Sequence, residues 1–398
     1  GEVATAGVAA EVRVPTGRDR VQRAADATGA LLGQARVDDP EGTGLGPLAA
    51  GAVPFGEATP GRLSVPALVV RRGPDRALWA VATAAGRRPD PPDLRTRPRA
   101  GAGGDGAWPE VRAVRAPAGQ DRAGFQAAVR AALDVIAGPR LGGGRLGGGL
   151  LGGGGLLDKV VLARELLVEA AGPFPRQAVL RRLRERAAGS FVYASGGFVG
   201  ASPELLVARR GRTATSRPMA GTVPRGGAAG EEAGREAWLR ASGKETAEHR
   251  LVVDMVAETL AKVADDIAVA PVEVVRLPTV AHLATRVSAE LTAPVPSALE
   301  LAGLLHPTPA VAGSPRDAAL EVLAGLEPFD RGRYGGPVGW VDHRGDGEWA
   351  VALRCATLHR AGARLVAGAG IVAGSDPDAE WAETGYKLEA MLRVLTSS

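Results

Sequence analysis

Residues 190–211 read SFVYASGGFVGASPELLVARRG. Three short runs rich in Phe, Val, Tyr and Leu stand here between Gly-Gly and Ser-Pro punctuation. Such residues suit a pleated, half-buried surface, and the punctuation supplies turns, so the stretch predicts an antiparallel meander. The same texture extends outward. From Gly1 to about Gly119, runs such as LSVPALVV (63–70) and ALWAVATAA (77–85) alternate with Pro- and Gly-rich segments and read as strands and loops. Towards the C-terminus VEVVRLPTVAHLATRVSAEL, GPVGWVDH, WAVALRCATLH and ARLVAGAGIV read as further strands.

Helical spacing appears between these runs. Residues 121–138, DRAGFQAAVRAALDVIAG, carry apolar positions one turn apart and end on glycine. PRQAVLRRLRERAAG predicts a second helix, and a long helical pattern from Gly230 to Val263 is broken near Ser242-Gly243. A short helix is expected near Ala298 to Leu305 and a last one from Pro377 to about Leu395. Strand runs mixed with helix runs, without strict alternation, predict an α+β fold.

At 398 residues the chain is long enough for one large domain or two to three smaller ones. No apolar stretch approaches the roughly 20 residues of a membrane helix. Cys355 is the only cysteine, which excludes an internal disulfide and makes a reducing cytoplasm the expected setting. The formal charge is +4, and the densest basic stretch, RRPDPPDLRTRPR, is interrupted by aspartate and proline, so it reads as a solvated loop and no nucleic-acid partner is expected. Of 48 basic residues only Lys159, Lys244, Lys262 and Lys387 are lysines. Lysine, unlike arginine, gives up its proton when its surroundings demand it, so these four are enriched for work arginine cannot do.

A glycine run over residues 142–155 leads into LDKVVLAR. A phosphate loop would close on Gly-Lys-Ser/Thr and open a helix. This run does neither, and its β-branched sequel reads as a strand beginning at Lys159, so the glycines read as a flexible linker. The final helix is more telling. Asp376 is placed as N-cap with Pro377 at the first helical position, and Glu380, Glu383 and Lys387 fall at i, i+3 and i+7 on one face. On a surface that pattern is an ion-pair ladder; in a pocket the two carboxylates suit a hard divalent cation such as Mg²⁺. Glu248 on the Ser242 to Val256 helix and Glu204 after the Ser-Pro turn are further acidic candidates.

Nine ordered segments, LDKVVLAR, GASPELLV, PMAGTVPRG, AEHRLVVDMV, TVAHLAT, LLHPTPAVAGSP, FDRGRYGGPVGW, VALRCATL and AGAGIVAGSDPDAEWAETGYKLEAML, together resemble isochorismate synthase. This belongs to the chorismate-utilising family, which includes anthranilate, aminodeoxychorismate and salicylate synthases. The resemblance is close from Leu157 onward and extends weakly through GAVPFGEATPGRLSVP. It implies large antiparallel sheets packed as a sandwich with helices outside. Residues 1–119 would be a β-rich part of that fold and 120–398 the chorismate-binding catalytic region.

The resemblance also implies a chemistry. Water adds at C2 of chorismate as the C4 hydroxyl leaves, an isomerase reaction. Lys159 matches the general base and Glu204 the general acid, and both roles call for shifted pKa values. Glu248 and Glu383 match Mg²⁺ ligands, with Glu380 nearby and acting through water. Arg354 and Lys387 match contacts to the enolpyruvyl carboxylate, assisted by Tyr334 and the backbone from Gly368 to Gly370. Gly221 and Thr222 match a cradle for the ring carboxylate, and His282 lies near the reacting face. Ala310, in HPTPAVAG, matches the water-using type, since amine-using relatives tend to carry threonine hereabouts. The expected product would feed a catecholate siderophore route through 2,3-dihydroxybenzoate, with a downstream isochorismatase, or a menaquinone route. A salicylate synthase that goes on to eliminate pyruvate, and a chorismate-binding protein without catalysis, are the alternatives.

Overall fold

The computed structural model describes residues 2–39, 43–72, 77–81, 108–138, 157–226 and 229–396. The glycine insert at 142–155 and the RRPDPPDLRTRPR loop lie outside the described residues.

Every strand pairing among the described residues is antiparallel. A nine-stranded sheet runs in the order 264–269, 287–291, 213–217, 205–210, 347–351, 337–342, 48–52, 61–65, 10–14. Strands from the first 65 residues therefore extend the same sheet that the later chain builds. A seven-stranded sheet is ordered 313–314, 159–170, 362–372, 355–359, 198–202, 191–195, and 111–115 also pairs with 159–170. The two sheets face each other. Ala52, Val338 and Ala350 of the first and Ala163, Phe198 and Val366 of the second share one buried cluster, and burial of such apolar area is the main force joining them. A three-stranded sheet, 219–224, 280–284 and 273–276, stands beside the sandwich, and another joins 2–6, 68–72 and 77–81.

The predicted meander is only half a meander. Strands 191–195 and 198–202 form the expected hairpin, but 205–210 belongs to the other sheet. Pro203 has no N–H to continue a ladder, and the chain crosses between sheets there. WAVALRCATLH likewise splits into 347–351 and 355–359, one strand in each sheet. The break falls at Arg354, whose φ of 49° makes it the only non-glycine residue with positive φ among the described residues.

The helices at Arg122–Ala137, Arg176–Arg186, Ala229–Ala241, Gly243–Leu260, Ala298–Leu305 and Pro377–Thr396 match the helical spacing. Ser242 breaks the long pattern because its hydroxyl caps the second helix at the Glu245 N–H, and Asp376 accepts from the N–H groups of Asp378 and Ala379. The N-terminal third is not all strand and loop. Arg20–Gly33 is a helix that buries Val21, Ala24, Ala25, Thr28 and Leu32. Its small apolar face conceals the helical period that its spacing nonetheless carries.

Arg331 fastens the sandwich from within. It is 3% exposed, donates to the carbonyls of Val311 at 2.6 Å and Val161 at 2.5 Å, and pairs with Glu327 at 2.5 Å. Glu327 in turn accepts from the Ala163 N–H at 2.8 Å. Removing one partner of a buried pair strands the other charge. Arg331→Met should therefore lower unfolding stability by about 3–5 kcal/mol, measured by urea denaturation, while adding Glu327→Gln should recover part of that loss.

Candidate active site

Lys159 opens the strand 159–170 and is hydrogen-bonded into the sheet on both sides, opposite Val372 and Ser314. Its side chain is 1% exposed and its ammonium nitrogen lies 2.6 Å from Glu248 Oε1. Room for that pair comes from Gly370. A Cβ there would fall 2.5 Å from Glu248 Oε1 and 2.8 Å from Lys159 Cε, inside van der Waals contact, so any side chain would displace the pair.

Glu204 stands where the chain crosses between the sheets, 3% exposed. Burial raises its carboxyl to about 8, although Lys159, Arg354 and Lys387 pull the other way. A carboxyl at that value is largely protonated near neutral pH and can donate a proton. Arg354 stands at the second crossing and donates to His282 Nε2 at 3.1 Å. Because arginine only donates, Nε2 accepts, and the proton sits on Nδ1, which donates to the Gly221 carbonyl at 2.9 Å. Burial, with Arg354 and Lys387, pushes His282 down to about 3, so the ring is a neutral bridge. Tyr334 is pushed up to about 12 by burial and keeps its hydroxyl proton.

Two helices deliver the acids. Glu245 and Glu248 stand three apart on Gly243–Leu260, and Glu380 and Glu383 stand three apart on Pro377–Thr396. Burial, then Glu383, drives Glu380 up to about 7. Burial, then Glu248, raises Glu245. Burial opposes ionisation of Glu248 too, but the Lys159 ammonium beside it holds its carboxyl below the usual range. Lysines meet three of the four: besides Lys159 on Glu248, Lys387 lies 2.6 Å from Glu383 and Lys244 lies 3.7 Å from Glu380. Lys387 also donates to the Gly368 carbonyl at 2.9 Å.

Among the described residues, no three acidic, histidine or cysteine side chains are grouped to hold a metal as they stand. The donor set nonetheless fits a hard divalent cation, being all carboxylate oxygen and crowded enough that burial and mutual repulsion raise two members. Glu245 was not singled out from the sequence. The signal was there, since its spacing to Glu248 repeats that of Glu380 to Glu383.

One pocket collects these groups. Lys159, Glu204, Gly221, Thr222, Glu248, His282, Ala310, Tyr334, Arg354, Gly368, Gly370, Glu383 and Lys387 all line a cavity of about 50 Å³. Glu380, 4% exposed, lies behind that lining. Pro203, Met219 and Leu353 add apolar wall that the sequence did not mark.

The family model described as "Chorismate binding enzyme" matches residues 153–396. Isochorismate synthase DhbC of Bacillus subtilis is 41% identical over 253 residues, which cover 61% of this chain and 64% of that protein. The match thus spans under two thirds of that relative's length. The crystal structure of DhbC from Bacillus anthracis has a TM-score of 0.77 at 30% identity, covering 100% of this chain and 94% of that one. The menaquinone-specific isochorismate synthase MenF of Escherichia coli has a TM-score of 0.74 at 27% identity, covering 99% and 86%. With the family match running through the sandwich strands from 159 onward, both acid-bearing helices and every residue named in the pocket lining, the chain belongs to the chorismate-binding enzymes.

Proposed function

We propose that the chain is a Mg²⁺-dependent isochorismate synthase that converts chorismate to isochorismate. The observation that carries this is the meeting of buried Lys159 and the high-pKa carboxyl of Glu204 in one pocket with the Glu248 and Glu383 carboxylates. To act as base Lys159 must first give up the proton it holds in its 2.6 Å pair with Glu248, a release that a cation drawing Glu248 away would favour; it then takes a proton from the attacking water as its oxygen bonds to C2. The ring double bonds shift and the C4–O bond breaks. Glu204 gives its proton to the departing oxygen, so one water enters and one leaves and the product is an isomer.

Glu248 and Glu383, with Glu380 and Glu245 behind them, would hold Mg²⁺, which supplies charge neutralisation and a fixed point for the ring carboxylate. Arg354 and Lys387 orient the enolpyruvyl carboxylate, and Gly221, with φ of 72°, turns the backbone so that Thr222 presents itself to the ring. Ala310 leaves the pocket wall small and apolar where an amine-using site would carry a hydroxyl. DhbC and MenF, the relatives above, bear names from siderophore and menaquinone chemistry, so the product serves one of those routes, with an isochorismatase as consumer in the first. The setting is the cytoplasm, in keeping with the single, buried, free Cys355. No helix among the described residues is long and apolar enough to cross a membrane.

Incubation with chorismate and Mg²⁺, read by coupling to an isochorismatase, should yield isochorismate. Recovery of unchanged chorismate would sink the proposal, and pyruvate with salicylate would replace it by a salicylate synthase. Lys159→Ala and Glu204→Gln should each cut kcat by about 10²–10⁴-fold. The pH profile should separate the two. Only the protonated form of Glu204 donates, so activity should fall as pH rises through about 8, and that alkaline limb should vanish from the residual activity of Glu204→Gln.

A further inference from the structure

A second cavity, of about 420 Å³, lies beyond the pocket wall and shares Pro203 and Arg354 with it. Its size is that of a small-molecule site. Leu183, Leu277 and Met391 give it an apolar body, and Arg186, Arg354 and Arg393 are among its lining residues, with no aspartate or glutamate among them. Arg393 pairs with Glu389 of its own helix and Arg186 donates to the Arg393 carbonyl. Arg354 bonds His282 and has no carboxylate within ion-pair distance among the described residues. Its backbone is held at φ 49° in the partition between the two cavities, and a non-glycine residue in that conformation persists only where its surroundings enforce it.

We infer that this cavity is a second binding site, for an anion with an apolar ring, an aryl carboxylate, and that its occupant acts on the catalytic pocket through Arg354. An apolar chamber with cations at its wall matches a ring bearing one carboxylate. The occupant's carboxylate and the substrate's would draw on the same guanidinium from opposite sides, so a carboxylate in the second cavity, and not mere filling of it, weakens the grip on substrate. Only this regulatory half rests on Arg354 serving the substrate as proposed above; the binding half stands on the cavity alone.

The probe is 1-naphthoate, fluorescent and of a size for the chamber, titrated into the full chain and used as an inhibitor of chorismate turnover. It should bind and should inhibit in a mixed pattern. Ala390→Trp, which fills the cavity from a half-buried helix position, should weaken naphthoate binding by about tenfold or more. Arg186→Gln, a surface change that leaves the core alone, should weaken it by about threefold. Both should keep kcat/KM for chorismate within about twofold, since neither residue reaches the catalytic pocket. Absence of binding at millimolar naphthoate, or purely competitive inhibition that both variants leave intact, would overturn the second site. So would loss of kcat/KM in parallel with naphthoate affinity, which would make the cavity a passage for substrate. Turnover by the wild-type chain without probe tests the isomerase reading separately, so the two can fail independently.

Discussion

Two chain segments leave one sheet for the other at the same place, and the site hangs on that coincidence. Residues 198–210 and 347–359 run antiparallel to each other on both sides of the crossing. Even at the crossing they stay linked: the Glu204 carbonyl accepts from Val351 N–H at 3.1 Å and the Arg354 carbonyl from Ala201 N–H at 3.2 Å. A crossing turns side chains out of the strict in-and-out alternation of a strand. Glu204 and Arg354 thereby both reach the wall of one pocket. Pro203 enforces one bend and the positive φ of Arg354 the other, a strain of order 1–3 kcal/mol that the surrounding packing absorbs.

Charge placement follows from the dryness of that gap. Three of the four lysines in an arginine-dominated chain, Lys159, Lys244 and Lys387, lie against the three acids Glu248, Glu380 and Glu383. Lys262 is on the exposed surface, and Lys244 keeps 39% of its side chain exposed. The slot at Lys159 depends on glycine at 370, since Cε stands 2.8 Å from the place a Gly370 Cβ would take. The compact Lys159 ammonium satisfies a buried carboxylate that would otherwise be costly to keep charged.

Local structure was legible where it is written in local chemistry. The caps at Ser242 and Asp376 and the one-face series Glu380, Glu383, Lys387 follow from residue type and spacing alone. The sheet assignment of 205–210 did not, because a Ser-Pro turn within a sheet and a Ser-Pro crossing between sheets share the same residues. Arg354 hid its break inside WAVALRCATLH for a related reason: positive φ is normally announced by glycine or asparagine, and arginine carries no such mark. Arg20–Gly33 was missed because Ala24, Ala25 and Thr28 give its buried face little hydrophobic contrast. The candidate site residues were named through resemblance to a family, and most of them line one pocket, while their burial and pairing were not legible, since both depend on elements distant in sequence.

Burial, against the pull of three neighbouring cations, keeps the Glu204 carboxyl protonated near neutral pH. Lys159, Arg354 and Lys387 all favour its ionised form, yet desolvation outweighs the three together and leaves it near 8. The same three cations around a solvated carboxylate would drive its pKa down instead. Had the glutamate stood at the mouth of the pocket, within reach of water, it would have been a fifth carboxylate beside Glu245, Glu248, Glu380 and Glu383 rather than a carboxyl that keeps its proton. The crossing between the sheets is thus the chemical device as well as the architectural one. It puts a carboxyl among three cations that do not strip its proton.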